Sequence, residues 1–408
     1  MKCRNCSAAV DLQVIDLGSA PLSNAYLTSI TLRRPEKWFP LRVLVCEQCW
    51  LVQAEVYSRS AEIFSEDYAY FSSFSSEWLE HARNLSQTLT KDLKLDSSSL
   101  VVEIGSNDGY LLRNFVQAGI RCVGVEPTAS TAAAARLLGV PTVERFFDES
   151  LAGDLVRDHG EADLIVAINV FAHVPYPREM LSGVRALLSS TGVFSVEFPH
   201  IVKMIEGLQF DTVYHEHFSY FSLTTVVEMM KQTGLLAIHV DELQTHGGSL
   251  RVRAVRDDSP LALSDDSVQQ IVSREKVAGV TSQAFYSEFQ RSAVHMKNAF
   301  LEFLVAEKTR GSKVLGYGAA AKGNTLLNFS GVRPDLIGAV VDRNPAKIGK
   351  FLPGSRIPIV SEETLRQARP DFVVILPWNL TSEIEGQLHY IREWGGQFVV
   401  AVPSLRCW

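Results

Sequence analysis

No stretch of the sequence approaches the run of about 18 apolar residues that a membrane-crossing helix needs, so a helical membrane protein is not expected. Basic residues are in deficit as well: 39 Lys and Arg stand against 46 Asp and Glu, for a formal net charge of −7, and no block of them stands out. Binding nucleic acid through a broad cationic surface is thereby excluded, although one local basic pocket for a small anion is not. The start, Met1-Lys2-Cys3-Arg4-Asn5-Cys6, lacks the apolar core of a secretory signal, so a cytoplasmic location is expected. Cysteine is scarce, with six residues, four of them among the first 50. So lopsided a set excludes a disulfide scaffold and points to one local site. Low-complexity segments and short repeats are missing too.

What is present is a chain of 408 residues, too long for one core. The pattern divides it into residues 1–60, 61–258 and 259–408. The first part is loop-rich with short β-like runs such as Leu41–Val45. From about residue 99, strands near 100–104, 121–126, 141–144, 163–168 and 193–198 alternate with helical stretches, and a strand at 249–256 closes the unit. That alternation is the signature of a parallel α/β sheet. Residues 264–310 read as a helical connector, with Ile271, Val277, Phe285, Phe289, Val294, Met296, Phe300 and Leu304 as its packed positions. Strands near 313–318, 337–342, 372–376 and 397–402 predict a second Rossmann-like sheet.

The first part carries Cys3-x-x-Cys6 and Cys46-x-x-Cys49. Two intervening residues let both thiolates of a pair bind one ion from a tight turn, and two pairs complete a closed tetrahedral shell. A structural Zn²⁺ on Cys3, Cys6, Cys46 and Cys49 is expected, with no open position for chemistry.

In the second part, the apolar strand ending Glu103-Ile104-Gly105-Ser106-Asn107-Asp108-Gly109 bends at its glycines, where backbone approaches a ligand at a strand's carboxyl end. It lacks the glycine spacing that seats a pyrophosphate on a helix N-terminus. An amino-acid tail and a ribose suit it better. Glu126-Pro127 ends the next strand, where the acid can accept from both ribose hydroxyls. Asn169 ends the fourth strand, and Phe146 and Phe147 are placed to flank an adenine. Together these residues predict S-adenosylmethionine.

The densest titratable cluster is Tyr214-His215-Glu216-His217. The His-x-His spacing invites a metal reading, but a general-base histidine beside an orienting glutamate is simpler, since an ordinary imidazole suits removal of a carbon-bound proton near neutral pH. His173, in the loop after the fourth strand, and Tyr68 or Tyr70 are expected to converge there, although tyrosines in such a segment are as readily packing groups. In the third part, Gly316-x-Gly318-Ala319-x-Ala321-Lys322-Gly323-Asn324 with Asp342 ending the next strand meets a loose dinucleotide fingerprint. Taken alone it suggests an NAD(P)-dependent oxidoreductase; the alternative is that it holds the diphosphate of an activated sugar, with Lys322 adding charge and Trp378 and Asn379 offering a surface for base or sugar. A non-enzymatic zinc scaffold or ligand sensor is a further alternative.

Taken together, the chain resembles the sugar C-methyltransferases of deoxysugar biosynthesis, such as the nucleotide-linked 4-keto-sugar 3-C-methyltransferase of the tetronitrose pathway. The likeness runs through the cysteine pairs, Asp16-Leu17-Gly18, Pro21-Leu22-Ser23, Tyr70-x-Ser72-Ser73, Glu103-Ile104-Gly105-x-Asn107-Asp108-Gly109, Glu216-His217-Phe218, His246-Gly247-Gly248 and Gly316-Tyr317-Gly318-Ala319-x-Ala321-Lys322. It implies a class I methyltransferase domain between a zinc-binding domain and a second Rossmann-like domain that contacts the nucleotide-sugar. It also implies His217 as the base, with Tyr70, His173, Tyr214 and Glu216 lining the site, His173 or Tyr214 serving as oxyanion donor, and His246 on the substrate side. His215 and Ser249 stand where acidic residues are expected, which points to a difference in sugar specificity.

Overall fold

The computed structural model describes residues 1–57, 71–74 and 76–408. Tyr68 and Tyr70 lie outside the described residues.

The first strands, β1 (Leu12–Ala20), β2 (Phe39–Val45) and β3 (Val52–Ala54), form an antiparallel sheet. Next in the chain come β4 (Leu100–Ile104), β5 (Arg121–Val125), β6 (Thr142–Val143), β7 (Ala162–Ile168) and β8 (Leu188–Pro199). These are nearly continuous Val, Ile and Ala runs, as a sheet covered on both faces requires. A two-residue strand, β9 (Ser219–Tyr220), then crosses back and pairs with β3 of the first sheet. The strands β10 (Leu235–Leu243) and β11 (Ser249–Arg256) complete the central sheet.

The central order is β10-β11-β8-β7-β4-β5-β6, with all strands running the same way except β11, which is antiparallel to both its neighbours. One inserted antiparallel strand at this position is the topology of class I methyltransferases. The strand order reverses between β4 and β7, and ligands of such sheets bind outside the carboxyl ends at that switch point.

The third sheet contains β12 (Val314–Tyr317), β13 (Val340–Val341), β14 (Ile359–Val360), β15 (Phe372–Ile375), β16 (Gln397–Val400) and β17 (Arg406–Cys407). Its order is β14-β13-β12-β15-β16-β17, with β17 antiparallel and a second switch point between β12 and β15.

The connector is three helices: Asp266–Ala278, Gln283–Tyr286 and Phe289–Arg310. Gly279 at φ +85° ends the first of these, the left-handed residue that commonly stops a helix. Ile271, Phe289, Met296, Phe300 and Leu304 are buried as expected, but Val277 is 90% exposed. It lies in the last turn of its helix, where the apolar face has already rotated away. Phe289, Met296, Phe300 and Leu304 share one core with Ile15 and Val43 of the first sheet and Val314 and Val374 of the third. The long helix therefore welds the zinc-bearing sheet to the third sheet.

Candidate active site

The four cysteine sulfurs lie within 4.8 Å of one another, with Cys3–Cys49 and Cys6–Cys46 each at 3.5 Å. Tetrahedral zinc thiolate with Zn–S near 2.3 Å implies sulfur separations of about 3.8 Å, whereas a disulfide needs about 2.05 Å. The Asn5 amide and Gln53 Nε2 donate to Cys3 Sγ at 3.4 and 3.3 Å, as suits a thiolate. The donor set fits one closed, structural Zn²⁺.

At the first switch point, Gly105 has φ +70°, and a Cβ there would come 2.7 Å from Val170 Cγ2. Only glycine lets the loop after β7 close so tightly on the loop after β4. The Glu126 carboxylate accepts from Asn107 N–H and Thr128 N–H, both at 2.9 Å, which locks its orientation and leaves further lone pairs for a diol. Burial raises its pKa, and burial raises that of the fully enclosed Glu103 well above the carboxylate range. Asn169 sits at φ +54°, its backbone N–H on Glu197 O at 2.9 Å, and neither side-chain polar atom has a protein partner. An orphaned buried amide aimed from a strand end fits a ligand with an amino-acid tail. Ser106 is likewise buried with its hydroxyl unpartnered. Pro127 follows Glu126 in the turn that donates Thr128 N–H. Of the aromatic pair, Phe147 packs toward Gly183, while Phe146 is 47% exposed.

The histidine loop lies beside this crevice. His217 Nδ1 sits 2.9 Å from Thr212 O. A carbonyl only accepts, so the proton is on Nδ1 and the neutral ring carries its lone pair on Nε2. Burial, reinforced by nearby His173, holds His217 well below the ordinary histidine pKa, so the lone pair is present at neutral pH. The Tyr214 ring lies 4.0 Å away, centroid to centroid, and His173 4.8 Å. His173 has the same tautomer, because its Nδ1 meets Glu216 O at 2.9 Å, and burial lowers its pKa to about 4. A neutral His173 in that state carries a lone pair, not a proton, on Nε2. His215 turns the other way: its Nε2 meets Pro40 O at 3.1 Å and Phe39 O at 3.3 Å. Its ring docks the loop on β2, and a direct effect on sugar specificity has no support in this geometry.

The second switch point faces the first. A Cβ on Gly247 would lie 2.4 Å from Trp378 Cη2, so the His246–Gly247 turn rests directly on the loop after β15. Trp378 Nε1 donates to Asp211 Oδ2 at 2.8 Å, and Lys322 Nζ lies 2.7 Å from Asn379 Oδ1 and 4.8 Å from the Trp378 ring centroid. Burial lowers the Lys322 pKa, with Asp211 opposing; burial raises Asp211 to about 6 and lowers His246 to about 4. Asn324 is buried with Oδ1 unpartnered.

Hydrogen bonds to Asp342 close the turn after β12. Ala319 N–H donates to Asp342 Oδ2 at 2.7 Å, while Asn344 N–H takes Oδ1 at 2.8 Å. Pro377 packs against Gly318, at 2.5 Å from where a Cβ would be. Asp342 locks this turn as Glu126 locks the first one, and a carboxylate so held keeps further lone pairs for a ligand.

Several residues here were not legible beforehand. Asn24, Tyr26 and Gln209 reach the site from segments without a motif. In the His81–Glu197–Arg251 network, Arg251 Nε lies on Glu197 Oε1 at 2.7 Å and His81 Nε2 on Oε2 at 3.1 Å, around a buried Glu197 carboxylate. Glu197 lies two residues before the end of β8, and that position near the strand end was the available signal.

Comparison with known proteins agrees with this arrangement. Family models match in chain order: a zinc-binding domain over residues 3–64, a methyltransferase domain over 77–240, and a C-methyltransferase C-terminal domain over 244–403. The C-methyltransferase NovU of Streptomyces niveus is 35% identical over 408 aligned positions, covering 99% of this chain and 96% of NovU. Among solved structures, magnesium protoporphyrin IX methyltransferase from Synechocystis with bound SAM is 16% identical, covering 44% of this chain and 79% of its own, at a TM-score of 0.34. A methyltransferase from Clostridium acetobutylicum is 10% identical over 46% and 92%, at 0.35. Scores that low add nothing to the topology described above. The NovU match spans all three sheets and the loops between them, and the chain belongs to the C-methyltransferase family: it is an S-adenosylmethionine-dependent C-methyltransferase with an N-terminal zinc-binding domain.

Proposed function

We propose that this methyltransferase acts on a nucleotide-linked 4-keto-deoxysugar, removing the proton from the carbon beside the ketone and methylating that carbon, at C3. The observation that carries the reading is the His217 tautomer, with Nδ1 committed to Thr212 O and the Nε2 lone pair left for a substrate proton. A C–H beside a carbonyl is acidic enough for such a base because the charge moves onto oxygen. The choice of C3 follows the likeness to the tetronitrose enzyme.

S-adenosylmethionine, when bound, supplies the electrophilic methyl group. Glu126, Asn169 and the Gly105–Gly109 turn, with Glu103, Ser106, Asn107 and Pro127 around it, hold the cofactor at the first switch point. His217 takes the proton, and Tyr214 donates to the developing oxyanion, the type of contact that contributes most when preorganised and dry. Holding donor and acceptor carbons in register supplies a further large part of the rate. Lys322, Asn379, Trp378, Asn324 and His246 face the nucleotide-sugar, and Cys3, Cys6, Cys46 and Cys49 ligate the zinc. The division of the chain at about residues 60 and 258 is proposed on the same grounds.

The test is to supply S-adenosylmethionine with thymidine, cytidine and guanosine diphosphate 4-keto-sugars and to read product mass. One sugar gains a methylene, and its analogue without hydrogen at C3 gains none. No mass gain with any 4-keto-sugar rejects the substrate class; methylation of the C3-blocked analogue rejects the position.

A further inference from the structure

Asn24 belongs to the loop between β1 and β2, in the zinc-bearing part of the chain, yet its Nδ2 contacts both Glu216 carboxylate oxygens, at 2.8 and 2.9 Å. The loop is held where it meets the third sheet. Leu27 bridges Phe351 through two backbone hydrogen bonds of 2.9 and 2.8 Å. Tyr26 donates its hydroxyl to Ala319 O at 2.6 Å, and Lys347 Nζ reaches the same oxygen at 2.9 Å. Asn24 is therefore presented from a fixed point.

Glu216 is the hinge of the histidine pair. Its backbone carbonyl takes the Nδ1 proton of His173, and its chain neighbour is His217, whose own N–H is tied to Tyr214 O at 2.9 Å. A displaced Glu216 shifts both imidazoles. We propose that Asn24 is a positioning residue of the methyl-transfer reaction: through Glu216 it sets the orientation of His173 and His217, so that the zinc-bearing part of the chain directly shapes the active site.

A charge-assisted hydrogen bond of this kind is worth about 10- to 100-fold where it holds a reacting group in register. Asn24→Ala therefore lowers kcat by about that factor, with KM, zinc content and S-adenosylmethionine affinity unchanged. Asn24→Asp sets one carboxylate against another. At neutral pH they repel, and as pH falls they share a proton, re-forming a hydrogen bond. Its kcat accordingly recovers toward pH 5.5, whereas Asn24→Ala shows no recovery. A tether with no part in positioning gives no such recovery.

The inference rests on the proposed role of His217, and the assay uses the full zinc-loaded chain with whichever keto-sugar the wild type methylates. Wild type inactive on every keto-sugar sinks the substrate reading itself. Active wild type with Asn24→Ala at full kcat overturns this inference alone. So does an Asn24→Asp profile parallel to that of Asn24→Ala, or a loss of activity in both variants that tracks loss of zinc.

Discussion

Replacing His246 by Asn should remove a defined part of the acid sensitivity of the fold. His246 sits at φ +54°, a left-handed conformation that Asn tolerates, so the exchange leaves the turn in place. Burial, with Lys322 nearby, lowers the His246 pKa to about 4; its ring meets the edge of Trp78 at 5.3 Å. In the unfolded chain the pKa is about 6.5. Between these values the unfolded state binds the extra proton, so stability is intact above about pH 6.5 and is lost as pH falls toward 4. From pH 7 to pH 5 the loss from this one group is about 2 kcal/mol. The figure depends weakly on the folded value, because pH 5 lies above it.

The assay is urea unfolding of wild type and His246→Asn at pH 7 and pH 5 in zinc-buffered solution. Contributions from His173, Asp211 and the thiolates are common to both proteins and cancel in the difference. Wild type should lose about 2 kcal/mol more than the variant over that interval. Parallel losses in the two proteins would refute the picture of a half-buried, neutral His246 between the two switch points.

Two further outcomes follow from the same geometry. Stripping zinc with a chelator, or Cys46→Ser, should abolish the one-per-chain zinc and with it activity, because β3 pairs with the β9 segment that follows His217; full turnover by metal-free protein would contradict this. Gly105→Ala must relieve a 2.7 Å contact with Val170 at a positive φ, so S-adenosylmethionine affinity by calorimetry should fall at least about tenfold, and unchanged affinity would show that this turn does not border the cofactor.

The parts of the site legible in the sequence are those set by local geometry. Cysteine spacing and strand-end glycines act within a few residues, and Glu126 and Asn169 follow from where strands stop. Contacts made by long-range folding were not legible. Asn24 meets Glu216 across 192 positions and Tyr26 meets Ala319 across 293, and no periodicity encodes such encounters. The strand β10 was missed because Leu235-Leu236-Ala237-Ile238 opens it without the alternation that marks a half-covered strand. The second bond that the Asp342 carboxylate makes, to Ala319 N–H across 23 positions, had no local signal either. His215 looked like a pocket residue, yet it faces the backbone of β2.

The central claim is that His217 Nε2 removes a proton from the carbon that receives the methyl group. His217→Asn tests it directly, since the Asn amide can keep the hydrogen bond to Thr212 O while removing the base. The measurement is deuterium wash-in from heavy water at the carbon beside the ketone, with S-adenosylhomocysteine in place of the methyl donor. Wild type should exchange, and the variant should lose exchange by a factor of about 10² to 10⁴ while binding S-adenosylmethionine normally. Exchange at the wild-type rate in His217→Asn, or its loss in His173→Asn alone, would contradict the account.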